Sequence, residues 1–227
     1  MSSHSAKILA LETANEQCSV ALSHGQEIVF FQENFEPRMQ TQLILPMIEQ
    51  ALAHAHWTWK DLDAIAFSRG PGAFSGVRIN AAVAQALAWA NDLPVLPIST
   101  LQAIAQKAYQ KLANEQISAV IDARMNEVYF ANYQLQDGIM HLQGEEQLLS
   151  YVDAQQSALS ICVGSGANLL QNTENSMIVD ASIHADAIAI SQLAQYDWQH
   201  NKAVPAEQAL PVYLRDNAWK KIAEQKA

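Results

Sequence analysis

The sequence predicts an α/β fold of two lobes, each a mixed sheet flanked by helices. Short apolar runs separated by polar turns read as a strand meander. The meander then gives way to strands alternating with helices, which requires crossover connections and helices on the sheet faces. The same order occurs twice along the 227 residues, a length that suits one large domain or two lobes.

The first meander comprises Lys7 to Leu11, Cys18 to Leu22 and Ile28 to Phe31, with turns at Asn15-Glu16-Gln17 and Ser23-His24-Gly25-Gln26. Arg38 to His56 reads as a helix, Leu62 to Phe67 as a buried strand and Phe74 to Asn91 as a second helix. A strand at Val95 to Ile98 and a helix at Thr100 to Ala113 complete the first half. Ile117 to Ile121, Val128 to Leu135 and Ile139 to Leu142 form the second meander. A helix is expected over Gln147 to Gln155, a strand over Leu159 to Val163 and a last helix over Asp186 to His200. No low-complexity linker interrupts the chain, so the lobes are expected to adjoin closely near Ala103 to Glu115. The expected division is 1–103 and 104–204, with 205–227 returning to the first lobe.

Composition narrows the function. Hydrophobic residues are 50% of the chain and charged ones 16%, against about 25% in an ordinary soluble domain. Such a surface is easily desolvated against another protein. Thirteen Lys and Arg oppose 23 Asp and Glu, a net charge of -10. Nucleic-acid affinity depends on clustered cations, and the only cluster is Lys220-Lys221, so strong nucleic-acid binding by the chain alone is not expected. Cys18 and Cys162 are too far apart to suggest a disulfide framework or a zinc motif. The short polar N-terminus is no signal peptide, and no apolar run reaches the ~18 residues of a membrane span. A cytoplasmic protein is expected.

The strongest local pattern is Ser68-Arg69-Gly70-Pro71-Gly72-Ala73-Phe74-Ser75-Gly76-Val77-Arg78, between a strand and a helix. Gly70 and Gly72 allow backbone conformations closed to other residues, and Pro71 fixes φ between them. Ser75 is placed to cap the helix. A loop feeding a helix N-terminus can take an anion on free N–H groups. Spacing alone favours the plainer reading, a tight strand-to-helix turn with one internal ion pair, or an inter-lobe loop. Arg78 lies where the helix dipole disfavours a cation, so a carboxylate or phosphate is expected to face it. No Gly-Lys-Ser/Thr follows, so the loop is not a Walker A motif.

These residues resemble the Gly-Pro-Gly-x-Phe-Thr/Ser-Gly-Leu/Val-Arg-Ile-Gly signature of the TsaB family. Further segments agree in order: Ile8 to Thr13, Cys18 to Leu22, Leu43 to Ile48, Asp122-Ala123-Arg124-Met125-Asn126-Glu127-Val128-Tyr129, and Pro211-Val212-Tyr213-Leu214-Arg215. Glu12 stands where the family usually has Asp, Gln40 replaces a frequent His and Asn80 replaces a Gly. The resemblance implies the actin-like ATPase (ASKHA, ribonuclease H-like) fold. It also implies a role in placing threonylcarbamoyl on the adenosine beside the tRNA anticodon, the t6A37 modification. In that role the chain is a non-catalytic scaffold or activator subunit, required by the transferase complex but no enzyme by itself. The implied partners are the catalytic paralogue TsaD, which carries ATP and the metal, the small ATPase TsaE, and a second copy of the chain. tRNA is then met through the complex. The hairpin residues Asp122, Arg124 and Glu127, with Glu12, Thr13 and Arg215, are implied cleft or partner contacts.

The residues for independent chemistry are missing from the sequence. The catalytic paralogue has a His-x-x-x-His pair, which places both imidazoles on one helix face; Thr100 and Ile104 occupy those positions here. No two of the seven His lie four apart. Glu12-Thr13-Ala14 lacks the Asp-x-Gly phosphate turn of active members of the fold. Gly164-Ser165-Gly166 resembles that fold's adenosine-side turn and also fits a plain strand-to-helix turn. A stand-alone ATPase or small-molecule kinase would need a catalytic carboxylate and two phosphate loops, and a peptidase a metal pair. The helices point to an interface instead. Leu43 to Ile48 is apolar all round, and the helix after Phe74 is lined with small residues, among them Ala82 and Ala86. Leu43, Met47, Ala82 and Ala86 are the expected contacts of a helix-paired dimer.

Overall fold

The computed structural model describes residues 5–15, 17–170 and 177–215. In chain order the elements are β1 (Lys7–Glu12), β2 (Cys18–His24), β3 (Glu27–Asn34), α1 (Gln40–Ala55), β4 (Ala64–Gly70), α2 (Phe74–Ala90), β5 (Val95–Ser99) and α3 (Thr100–Leu112). The second half contributes β6 (Gln116–Arg124), β7 (Glu127–Gln136), β8 (Ile139–Ser150), α4 (Tyr151–Ser157), β9 (Ile161–Val163), β10 (Ile178–Asp180) and α5 (Ala187–Gln199).

The two sheets have one topology. Their strand orders are β3-β2-β1-β4-β5 and β10-β9-β6-β7-β8. In each, three strands form an antiparallel meander and two more join parallel to its first strand. Strands β1 and β4 carry unbroken apolar runs, Ile8 to Leu11 and Ala64 to Phe67, because helices cover both faces there. Edge strand β3 is only partly covered and carries Gln32, Glu33 and Asn34.

The layers run α1 and α2, first sheet, α5 and α3, second sheet, α4. The central layer forms the largest core. Ile8, Ala10 and Ile98 of the first sheet share it with Ile117, Ala119 and Val163 of the second, bridged by Leu101, Ile104, Ile190 and Leu193. Helix α5 packs on β1, β2, β4 and β5, whereas α3 packs mainly on β6 and β8. Each half therefore lends its final helix to the middle. The expected boundary at 103 cuts through α3, and α5, assigned by sequence to the 104–204 lobe, lies against the first sheet. The closing segment also returns to that sheet. Val204 bridges Val95, and the Val212 amide donates to the Arg69 carbonyl at 2.8 Å. The remainder of the expected return, 216–227 with Lys220 and Lys221, lies outside the described residues.

Strand β8 corrects the expected helix at Gln147 to Gln155. It runs to Ser150, held by pairing from Glu127↔Ser150 to Phe130↔Gln147, and α4 begins at Tyr151 with the Ser150 hydroxyl accepting from the Asp153 amide. Glu146 on this strand reaches the other lobe. It pairs with Arg69 at 3.0 Å and accepts from the Tyr133 hydroxyl at 3.2 Å.

Candidate functional site

The site is built on the turn after β1. Glu12 and Thr13 are fully buried. The Glu12 carboxylate accepts from the Ala14 amide at 2.6 Å and the Asn15 amide at 3.3 Å. Burial raises its pKa from 4.5 to about 7, against the opposing hydrogen bonds from Ser68, Ala14 and Asn15. Its Oε2 finds no partner among the described residues. The Thr13 hydroxyl donates to the Gly76 carbonyl at 2.8 Å. Both residues, expected at the cleft, support its floor from below. Asn80 joins them: its Nδ2 donates to the carbonyls of Leu11 and Ser68 and to the Ser68 hydroxyl.

The glycine loop lies on this turn. Gly70 has φ of 100°, a left-handed conformation that favours glycine. Gly72 needs its missing side chain for space, since a Cβ there would strike the Ala14 carbonyl. The Ala73 amide donates to that same carbonyl at 2.8 Å, which starts α2 at Phe74 with Ala73 as its N-cap. Ser75 therefore lies inside the first turn and caps nothing, contrary to expectation. Arg78 meets no carboxylate among the described residues. Its guanidinium lies 3.2 Å from the centre of the Phe74 ring and 4.8 Å from that of Tyr213, and Nη1 donates to the Phe74 carbonyl at 3.2 Å. Stacking on the negative ring faces takes the place of the expected ion pair.

The opposite wall is the β6–β7 hairpin. Arg124, Met125 and Asn126 all have positive φ, 63°, 58° and 61°, an uncommon run for residues with side chains. The Asp122 carboxylate holds this turn, accepting from the Arg124 amide at 2.8 Å and pairing with its guanidinium at 3.0 Å. Arg215 crosses from the closing segment to pair with Glu127 at 2.5 Å and donate to the Ala123 carbonyl at 3.0 Å. Between the walls lies a cleft of about 1010 Å³.

Of the sequence-derived site residues, Gly72, Arg78, Asp122, Arg124 and Arg215 line this cleft. Gly70, Glu12, Thr13 and Glu127 support those that do, while Ser75 is exposed in the first turn of α2 outside the lining. The sequence reading missed Phe74, Tyr213 and His184, which also line it. Phe74 was accessible to inspection, four residues before Arg78 on one helix face. Tyr213 and His184 arrive from distant parts of the chain. Among the described residues, no group of three His, Cys, Asp or Glu could hold a metal ion, and no helix is long and apolar enough to cross a membrane.

A second surface lies on the outer helices. Ala82 and Ala86 are exposed on α2, and Trp89, one turn on, is 68% exposed. On α1, Leu45 is 47% exposed. The expected contact Met47 instead faces inward, 2% exposed beside the Cys18 thiol, and Leu43 packs half-buried on the same core. Amphipathic geometry explains the correction, since Ile44, Met47, Ile48 and Ala51 make the buried stripe of α1.

The family model described as TsaD, tRNA N6-adenosine threonylcarbamoyltransferase, matches residues 37–159. The chain is 38% identical to the tRNA threonylcarbamoyladenosine biosynthesis protein TsaB of Haemophilus influenzae, covering 95% of this chain and 96% of that one. It is also 38% identical to the TsaB protein of Escherichia coli, covering 95% and 98%. The crystal structure of YeaZ from Pseudomonas aeruginosa superposes with a TM-score of 0.84 at 40% identity, over 92% of this chain and 100% of that one. With the repeated sheet topology, these likenesses establish the two-lobed actin-like fold.

Proposed function

The chain belongs to the TsaB family of tRNA threonylcarbamoyladenosine biosynthesis proteins, and from that membership we propose that it acts as a partner-dependent, non-catalytic subunit of t6A synthesis. In this reading it pairs with TsaD, its paralogue, which supplies nucleotide and metal chemistry; TsaE joins the pair, and tRNA is met through the assembly.

The observation that carries the proposal is the exposed helical face of Ala82, Ala86 and Trp89 on α2, together with the exposed Leu45 on α1. Small side chains let a partner helix approach closely, while Trp89 offers the large apolar area typical of interface anchors. A stable contact of this kind covers about 800 Å² per partner. The buried state of Glu12 supports the non-catalytic part. The Glu12 carboxylate is bound to the backbone of Ala14 and Asn15 under the glycine loop and does not line the cleft.

Reconstitution of tRNA modification with each subunit omitted tests the proposal. Modification is expected to require this chain together with TsaD, and the chain alone is expected to leave ATP and tRNA unchanged. Co-purification with TsaD should be lost in Ala86→Arg. Stoichiometric tRNA modification by this chain with small molecules alone would overturn the scaffold reading, and sustained ATP hydrolysis by the isolated chain would favour a stand-alone ATPase.

A further inference from the structure

Three of the chain's five arginines, Arg78, Arg124 and Arg215, line one cleft in a protein of net charge -10. They arrive from α2, from the hairpin and from the closing segment, so no single element's composition explains the gathering. Their charges are only partly balanced. Asp122 pairs with Arg124 and Glu127 with Arg215, which leaves one positive charge, Arg78, with no carboxylate among the described residues. One carbonyl bond occupies Arg78, and a guanidinium has five N–H donors arranged to grip paired oxygens. The remaining ionisable group on the wall, His184, is turned to Glu33 at 3.0 Å and lies near Lys107 at 3.4 Å.

The interior of the cleft has a different character. Val77, Ile104, Ile121, Ile183 and Tyr129 line it, and this apolar wall is continuous with the central core through Ile104, Ile121 and Ile183. A volume of about 1010 Å³ lies at the upper end of the range of small-molecule sites, about 300–1,000 Å³. We infer that the cleft binds a small molecule with an apolar body and a single anionic group, a carboxylate or phosphate monoester, gripped by Arg78 at the mouth. A polyanion would exceed the one charge left unbalanced among the described residues. A wholly polar molecule, though Asn15, Gln17, Ser165 and Ser182 could meet it, would leave the apolar wall of Val77, Ile104, Ile121 and Ile183 unfilled. The inference stands apart from the pairing proposed above, since the cleft and the exposed face of α2 use different residues.

Naphthalene-2-carboxylate is a suitable probe, titrated into the full-length, 15N-labelled chain and followed by amide chemical shifts. Saturable shifts are expected at Arg78, Ile121 and Tyr213, with naphthalene-2-carboxamide binding at least about tenfold more weakly, since a charge-assisted hydrogen bond is roughly twice as strong as a neutral one. Arg78→Gln should weaken the acid about tenfold and leave the amide unchanged. Arg78→Lys, with circular dichroism on both variants, provides a second test if the first misfolds: it keeps the charge and loses the planar fork, and should still bind the acid more tightly than the amide. Tighter binding of naphthyl phosphate assigns the anion to phosphate, and tighter binding of the acid assigns it to carboxylate. Equal binding of acid and amide, an unaffected Arg78→Gln, absence of saturable shifts, or ATP outcompeting both probes would overturn the inference.

Discussion

Replacing Glu12 with glutamine should change how stability depends on pH more than any other single substitution. The carboxyl is fully buried, and its pKa is raised from 4.5 to about 7 by loss of solvent. That gap corresponds to about 3 kcal/mol of preference for the neutral form, at about 1.36 kcal/mol per pH unit. Because the folded value lies above the unfolded one, the contribution is complete below pH 4.5 and is lost as pH rises through about 7. Glutamine keeps an oxygen to accept from Ala14 and Asn15 and carries no charge. The variant and the natural chain should thus be nearly equally stable at pH 5. By pH 8 the variant should be more stable, by an amount on the order of 3 kcal/mol at most. Urea denaturation followed by tryptophan fluorescence at pH 5, 6, 7 and 8 measures this. Titrations of groups not coupled to Glu12 affect both chains alike and cancel in the difference. Parallel profiles across that range, or a variant less stable at pH 8, would refute the account of Glu12 as a buried, proton-holding group.

Other outcomes follow from the same geometry. Ala82→Arg and Ala86→Arg should shift stability by no more than about 0.5 kcal/mol, since both positions are exposed, yet abolish pairing on size-exclusion chromatography. Arg69→Met should cost about 3 kcal/mol in urea melts, because it leaves Glu146, whose side chain is 8% exposed, without its cation. Asn80→Ala removes three hydrogen bonds beneath the glycine loop and should cost about 2 kcal/mol by the same measurement. Gly76→Ala drives a Cβ into the Thr13 carbonyl, and thermal melts should show a loss of at least about 2 kcal/mol.

Much of this architecture is legible in one dimension. Strands such as Ile8 to Leu11 and Ala64 to Phe67 announce themselves by apolar composition, and the order meander, helix, strand, helix appears in both halves. What escapes is set by partners distant in sequence. The polar run Gln143 to Gln147 is continued as β8 because its two ends pair with β7 across a bulge and Arg69 neutralises Glu146 in between. Ser75 looks like a cap until the Ala73–Ala14 bond starts the helix earlier. The small residues of α2 mark two faces, Ala81, Ala84 and Ala88 buried and Ala82 and Ala86 exposed. Composition alone cannot order them, because both faces are equally small. The cleft is least legible, since Tyr213 and Arg215 reach it from the opposite end of the chain. Asn80, a departure from the family's Gly, carries no sign in the sequence of its role, which is to tie β1, β4 and α2.

The central position of α5 bears on how this protein is made. The inner face of the first sheet is complete in sequence by Ser99, yet its main cover is a helix that begins at Ala187. At a synthesis rate of about 5–20 residues per second, that helix is translated roughly 5 to 20 s later. Throughout that interval the nascent chain carries a sheet with one greasy face uncovered. The ribosome-bound intermediate therefore exposes the kind of apolar surface that makes incomplete chains prone to aggregate, and truncation before Ala187 removes the helix that makes the main cover of the first sheet.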